Sequence, residues 1–168
     1  MQYEKVYIQK TKANSPIKET IADFDIYCAD MPFKLFAEAK DPSKRDWFDE
    51  HGDDEYIPNG GIKLKSYTMD VKFCCKGEKY SANAKIQKFL NYLTGLDNTG
   101  AEMMMYCTWT KIGRTGIRFD KLSDKADLVR DEDGDTLVFT VTFKINDPVT
   151  DIILSYDTNR RIVGLKKA

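Results

Sequence analysis

The twelve residues Asp135-Thr-Leu-Val-Phe-Thr-Val-Thr-Phe-Lys-Ile-Asn146 alternate with a period of two. Leu137, Phe139, Val141, Phe143 and Ile145 share one side, and Thr140, Thr142 and Lys144 take the other. Successive side chains of an extended chain point to opposite faces, so this is the pattern of an antiparallel strand with one face in a core. A second run, from about residue 62 to 75, sets Tyr67, Met69, Val71, Phe73 and Cys75 against Ser66, Thr68, Asp70 and Lys72. Residues 102–109 and 114–122 give a third and a fourth strand, joined by the turn-like Lys111-Ile112-Gly113. Shorter strands are predicted at 3–9, 20–28, 126–130 and 152–155. The core is therefore a sheet or a pair of sheets.

One helix interrupts the strands. Ser81 is placed to cap it, Ala82 and Ala84 favour it, and Ile86, Phe89, Leu90 and Leu93 recur at helical spacing. Lys85, Lys88 and Asn91 mark the wet side, and Gly95 is placed to end it. A long strand, one helix and then a run of hairpin strands, with no repeated strand–helix–strand unit, excludes a doubly wound parallel sheet. The expected fold is mostly β, at the margin of α+β: an antiparallel β-sandwich with one amphipathic helix packed on it, formed by residues 1–168 as a single domain.

At 168 residues the chain suits one core, and 42% apolar with 32% charged residues is a globular balance. A formal net charge of -1 supplies no basic face for phosphates, which argues against direct binding of duplex nucleic acid. The start, MQYEKVYIQKTK, alternates charged and apolar residues in place of a secretory signal, and no apolar run is long enough to span a bilayer. This points to synthesis and folding in the cytoplasm. Cys74 and Cys75 are adjacent in a strand and face opposite ways, so with Cys28 and Cys107 they read as packed, reduced thiols and not as metal ligands.

Residues 38–58 break the regularity. Pro42, Trp47, Phe48 and Tyr56 stand among many charges with neither periodicity, so the segment reads as a loop beyond the usual connection length. It is acidic, through Asp46, Asp49, Glu50, Asp53, Asp54 and Glu55. The end of the chain, about 158–168, reads as a short basic tail with Arg160, Arg161, Lys166 and Lys167. Aromatic side chains ringed by charge suit a protein interface. The candidate interface residues are Trp47, Phe48, Asp49, Glu50, Asp53, Asp54, Tyr56, Arg160 and Arg161. The opposing reading has Trp47 and Phe48 folding back over the base of their own loop.

Catalysis would have to start from His51, the only histidine, which sits in this acidic segment with no second histidine or thiolate motif beside it. A calcium loop at Asp131-Glu-Asp-Gly-Asp135 fails because its glycine comes too early and no glutamate follows at the required spacing; Asp-Gly between strands makes a tight turn. No phosphate loop or nucleophile elbow occurs. We therefore expect no enzyme, no catalytic or metal-binding residue and no cofactor. Met103, Met104 and Met105 fall on both faces of their strand, which fits core packing first and a protein interface second; Tyr106 and Trp109 share the two readings.

The run Val71-Lys-Phe-Cys-Cys-Lys-Gly77, the helix Ser81–Leu93 and a last strand closing on Asp147-Pro148 together resemble the β-sandwich domain of phage distal tail proteins, whose fold is similar to that of tail-tube subunits. The resemblance covers about residues 60–150, and the long acidic loop departs from it. It implies a structural subunit of a phage or prophage tail, at the distal-tail or baseplate ring or the tube. Such subunits form rings, commonly hexameric, beside neighbouring tail proteins, with no catalytic residues. Assembly in the host cytoplasm and residence in the virion tail would follow. Two other functions remain open: a monomeric β-sandwich binding module using the 38–58 loop, and a metal-dependent hydrolase built on His51.

Overall fold

The computed structural model describes residues 5–123 and 125–168. In chain order the elements are β1 (Val6–Lys10), β2 (Ile17–Glu19), α1 (Thr20–Phe24), β3 (Ile26–Asp30), β4 (Lys44–Asp46), β5 (Asp53–Glu55), β6 (Tyr67–Gly77), α2 (Ala82–Thr94), β7 (Glu102–Cys107), β8 (Gly113–Leu122), β9 (Asp127–Asp131), β10 (Gly134–Ile145), β11 (Ile152–Tyr156) and β12 (Ile162–Lys167). Of the strand expected at 3–9, Tyr3 and Glu4 lie outside the described residues.

The two runs with the strongest alternation pair with each other. β6 and β10 run antiparallel in unbroken register from Asp135 opposite Gly77 to Ile145 opposite Tyr67. Their shared face presents Tyr67, Met69, Val71, Phe73 and Cys75 beside Leu137, Phe139, Val141, Phe143 and Ile145, all in or against one apolar core. Each large apolar side chain buried here contributes roughly 1.5–3 kcal/mol. On the other face Thr142 donates its hydroxyl hydrogen to Asp70 at 2.6 Å.

Around this pair the sheet runs β2-β1-β7-β8-β10-β6-β3, with β9 pairing the remaining half of β10. Every pairing is antiparallel. The helix α2 covers one face with Ile86, Phe89 and Leu93, and Phe89 meets Phe73 edge-on at 5.1 Å. On the opposite face the β11–β12 hairpin packs Ile152 and Leu165 onto Tyr7 and Tyr106. The fold is thus mostly β and antiparallel with the amphipathic helix packed on it, and the second β layer has two strands. Met103 and Met105 sit in the helix-side core and Met104 packs beneath the hairpin, so the core reading of the methionines holds. Trp109 is exposed.

Three local expectations are corrected. The stretch 20–28 is a short helix followed by a strand, because Thr20 and Phe24, four residues apart, are both buried only if one helical turn stacks them. Phe24 then lies 5.2 Å from Phe89, and the Asp23 carboxylate accepts the Glu19 N–H at 2.8 Å. Ser81 precedes α2 but does not cap it: its backbone is helical, with φ −90° and ψ −22°, and its hydroxyl donates to the Glu78 carbonyl at 2.7 Å. The basic stretch 158–168 is no tail. It forms the turn of a hairpin and then β12, because Ile162 and Leu165 pack against the tyrosine cluster.

The Asp131–Asp135 run is a turn, as its composition indicated: Asp131 Oδ1 accepts the N–H groups of Asp133 and Gly134 at 2.9 and 3.1 Å. Asp135, buried at its end, accepts from Arg130 at 2.6 and 3.0 Å and from the Tyr80 N–H at 2.7 Å. The Arg130 guanidinium holds this carboxyl below its usual range.

Candidate functional site

The 38–58 segment is ordered as an arm with a stem, a short ladder and a tip. At the stem, Ala39 bridges Leu64, Lys40 N–H donates to Lys63 O and Lys65 N–H to Glu38 O, both at 2.7 Å. Farther out β4 and β5 pair Lys44 with Glu55, Arg45 with Asp54 and Asp46 with Asp53. The expectation of a loop without periodicity is corrected here: strands of three residues are too short to display a period, yet the two sequences pair. Residues 47–52 form the tip.

The structure brings Trp47, Phe48, Asp49, Glu50, Asp53, Asp54 and Tyr56 together on this arm, and all are exposed. Phe48 is 101% exposed at the tip, and Trp47 is 46% exposed with its ring 6.0 Å from the Arg45 guanidinium. Phe48 does not fold back onto the base of the arm, while Trp47 is about half covered. Lys44 pairs with Asp53 at 2.6 Å, a hydrogen bond that raises the Lys44 pKa above its ordinary value. Among the described residues Asp46, Asp49, Glu50 and Asp54 enter no ion pair. Asp46 directly faces Asp53, a like-charge opposition that weakens an isolated hairpin. Arg160 and Arg161 lie elsewhere, in the β11–β12 turn, where Asp157 Oδ1 accepts the Asn159 and Arg161 N–H groups at 2.8 Å.

At the base of the arm is a pocket of about 320 Å³ with walls from Pro42, Tyr56, Ile57, Pro58 and Ile62 and with Lys40 and Lys63 among its lining residues. The alternation put Ile62 at the start of a strand that begins only at Tyr67, which leaves Ile62 free to line the pocket, and Ile57 and these lysines show no motif; the prolines at 42 and 58 that frame the arm were the available signal. Leu35 and Phe36, in the segment leading into the arm, are also exposed.

His51 is an exposed tip residue. Among the described residues no three His, Cys, Asp or Glu side chains converge to hold a metal. All four cysteines are buried, and burial raises the pKa values of the Cys74 and Cys75 thiols. A second concavity, of about 930 Å³, lies between the β1–β2 connection and α2. Lys10, which contributes to it, is 2% exposed, and its ammonium lies 4.5 Å from the centre of the Tyr92 ring. Among the described residues no helix is long and apolar enough to cross a membrane. Comparison with known proteins finds no matching family model and no curated protein of similar sequence.

Proposed function

We propose that this chain is a structural subunit of a phage or prophage tail, of the distal-tail, baseplate or tube kind, which assembles into a ring with its own copies and meets neighbouring tail proteins. It works by packing and carries out no chemical reaction. The observation that carries the reading is the arm: a projecting hairpin whose aromatic tip is in water and whose carboxylates outnumber their partners. Such a hairpin has little reason to be ordered for its own sake, since two strands alone are marginal and exposed aromatic surface gains free energy on leaving water. An antiparallel sheet with open edges at β2 and β3 supplies a rigid body on which head-to-tail contacts can close into a ring.

The experiment is light scattering on the purified chain over a wide concentration range, with negative-stain electron microscopy of the concentrated samples. Closed ring particles are the expected result. A chain that stays monomeric at every concentration, and also when mixed with the products of its neighbouring genes, would overturn the proposal. A monomeric binding module is the second reading, favoured by the apolar pocket at the arm base. For that reading, a small apolar ligand saturating the pocket of a persistent monomer is the expected outcome.

A further inference from the structure

We propose that Phe48, at the arm tip of one copy, inserts into the apolar pocket at the arm base of a second copy, with Asp49 and Glu50 meeting Lys40 and Lys63 there. The inference rests on the self-assembling reading above and names its contact.

Size, reach and charge all bear on it. A dry apolar cavity of about 150 Å³ takes a benzene ring. The pocket, at about 320 Å³, has room for the Phe48 phenyl group and for the side chain's approach. The tip does not fill the pocket of its own chain: Phe48 is fully exposed, and the three-residue β4–β5 ladder, about 10 Å long at a rise of about 3.3 Å per residue, stands between it and Ser43. The occupant must then come from another molecule, and the tip of a second copy has the right chemistry. Asp49 and Glu50 follow Phe48 without ion-pair partners among the described residues, and Lys40 and Lys63 likewise have none; of the two carboxylates that also line the pocket, Asp41 is paired with Lys65 at 3.0 Å and Glu55 lies opposite Lys44. An aromatic anchor in an apolar hole, with opposite charges around it, divides the labour as interfaces do: the ring supplies affinity, and the charges guide encounter and register.

Tip and pocket are different surfaces, so one contact leaves a free tip and a free pocket. Repetition then gives a closed ring or an open chain, whereas reciprocal exchange between two arms stops at a dimer. The test uses the full-length double variant His51→Cys/Asn59→Cys, which keeps Phe48 and the four charges and places one thiol at the tip and one beside the pocket. The native cysteines are buried. Treatment with a short bismaleimide should give a ladder of covalent oligomers beyond the dimer, absent when Trp109→Cys replaces the pocket thiol.

Cross-linking that ends at the dimer would support the tip–pocket contact and overturn the ring reading. Rings under the microscope with no cross-linking above the Trp109→Cys control would overturn the contact and leave the ring standing. Two further variants read the energetics. Phe48→Ser should weaken self-association by about 30-fold or more, the scale of an interface hot spot, with an unchanged melting temperature. Lys40→Glu/Lys63→Glu should weaken it too, and mixing that protein with Asp49→Lys/Glu50→Lys should restore association. Full-strength association of Phe48→Ser would overturn the proposal.

Discussion

Phe143 sits at 0% exposure near the end of β10, opposite Met69 and within the main apolar cluster. Phe143→Ala removes most of a ring from a packed site, so urea unfolding should show a loss of about 3–5 kcal/mol. Lys10 presents the opposite case, a cation driven into the core. Burial pushes its ammonium from 10.5 down to about 8, with Asp97 pulling the other way. Between those two pH values the unfolded chain keeps the Lys10 proton and the folded chain has released it, so the unfolded state binds more protons and stability rises with pH. Tyr7 acts in the next window: burial, and then Glu19, raise its phenol from 10.0 to about 12, so stability falls as pH climbs between those values. The buried Cys74 and Cys75 thiols, raised from 9.0, act in the opposite sense from about pH 9, so the Lys10 contribution is read as a difference: from about pH 8 to 10 the wild type should gain stability relative to Lys10→Met, and an identical slope in the variant would show that Lys10 is hydrated.

The elements divide into those the core requires and those it can lose. Neither apolar cluster contains a residue of β4 or β5. Replacing residues 41–55 by a short Gly-Ser linker should leave the melting temperature nearly unchanged while abolishing self-association, read by calorimetry and light scattering. Unfolding of the deletion would mean that the arm caps the core. The β9–β10 turn is coupled more tightly to the body, since Asp135 joins Arg130 to the Tyr80 N–H. Its carboxyl is held below the usual range, so the stability it supplies is present above ordinary carboxylate pKa values and is lost as pH falls through its folded-state value. Asp135→Asn should lower the melting temperature at pH 7 and reduce the acid sensitivity of the fold.

The whole molecule is held in three layers by close approaches that single residues permit. A Cβ on Gly113 would stand 2.5 Å from the Ile152 carbonyl oxygen, a backbone atom, and 3.0 Å from side-chain atoms of Ile152 and Tyr106. The neighbouring Arg114, itself buried, pairs with Asp151 at the start of the same hairpin. Gly113→Val should therefore lift β11–β12 off the sheet. Hydrogen exchange would show lost protection in residues 152–167 and in the strand edges beneath them, with the β6–β10 pair still protected. A variant that keeps the hairpin's protection would show that the backbone there can shift. In the proposed assembly, contacts between separated exposed charges are screened by salt, so association should slow as ionic strength rises.

Element type and buried face were legible in the sequence for β6, β10 and most of α2, because long alternating or helical runs state which side must leave water; the register between β6 and β10 was not. Nothing local could decide 20–28, where a burial pattern of residues four apart arises only once Phe89 and Tyr92 are in place to receive Phe24. The arm was visible as an acidic, aromatic anomaly between two prolines, yet its ladder was not, since pairing of Lys44–Asp46 with Asp53–Glu55 is a relation between two segments and leaves no mark in either. The same holds for the C-terminal stretch, whose lysines and arginines read as a solvated tail until Ile162 and Leu165 found the tyrosines of β1 and β7. Composition and periodicity determine which residues must be buried. Which distant segments meet to bury them, and so which aromatic side chains remain outside, is decided only by the closed tertiary structure.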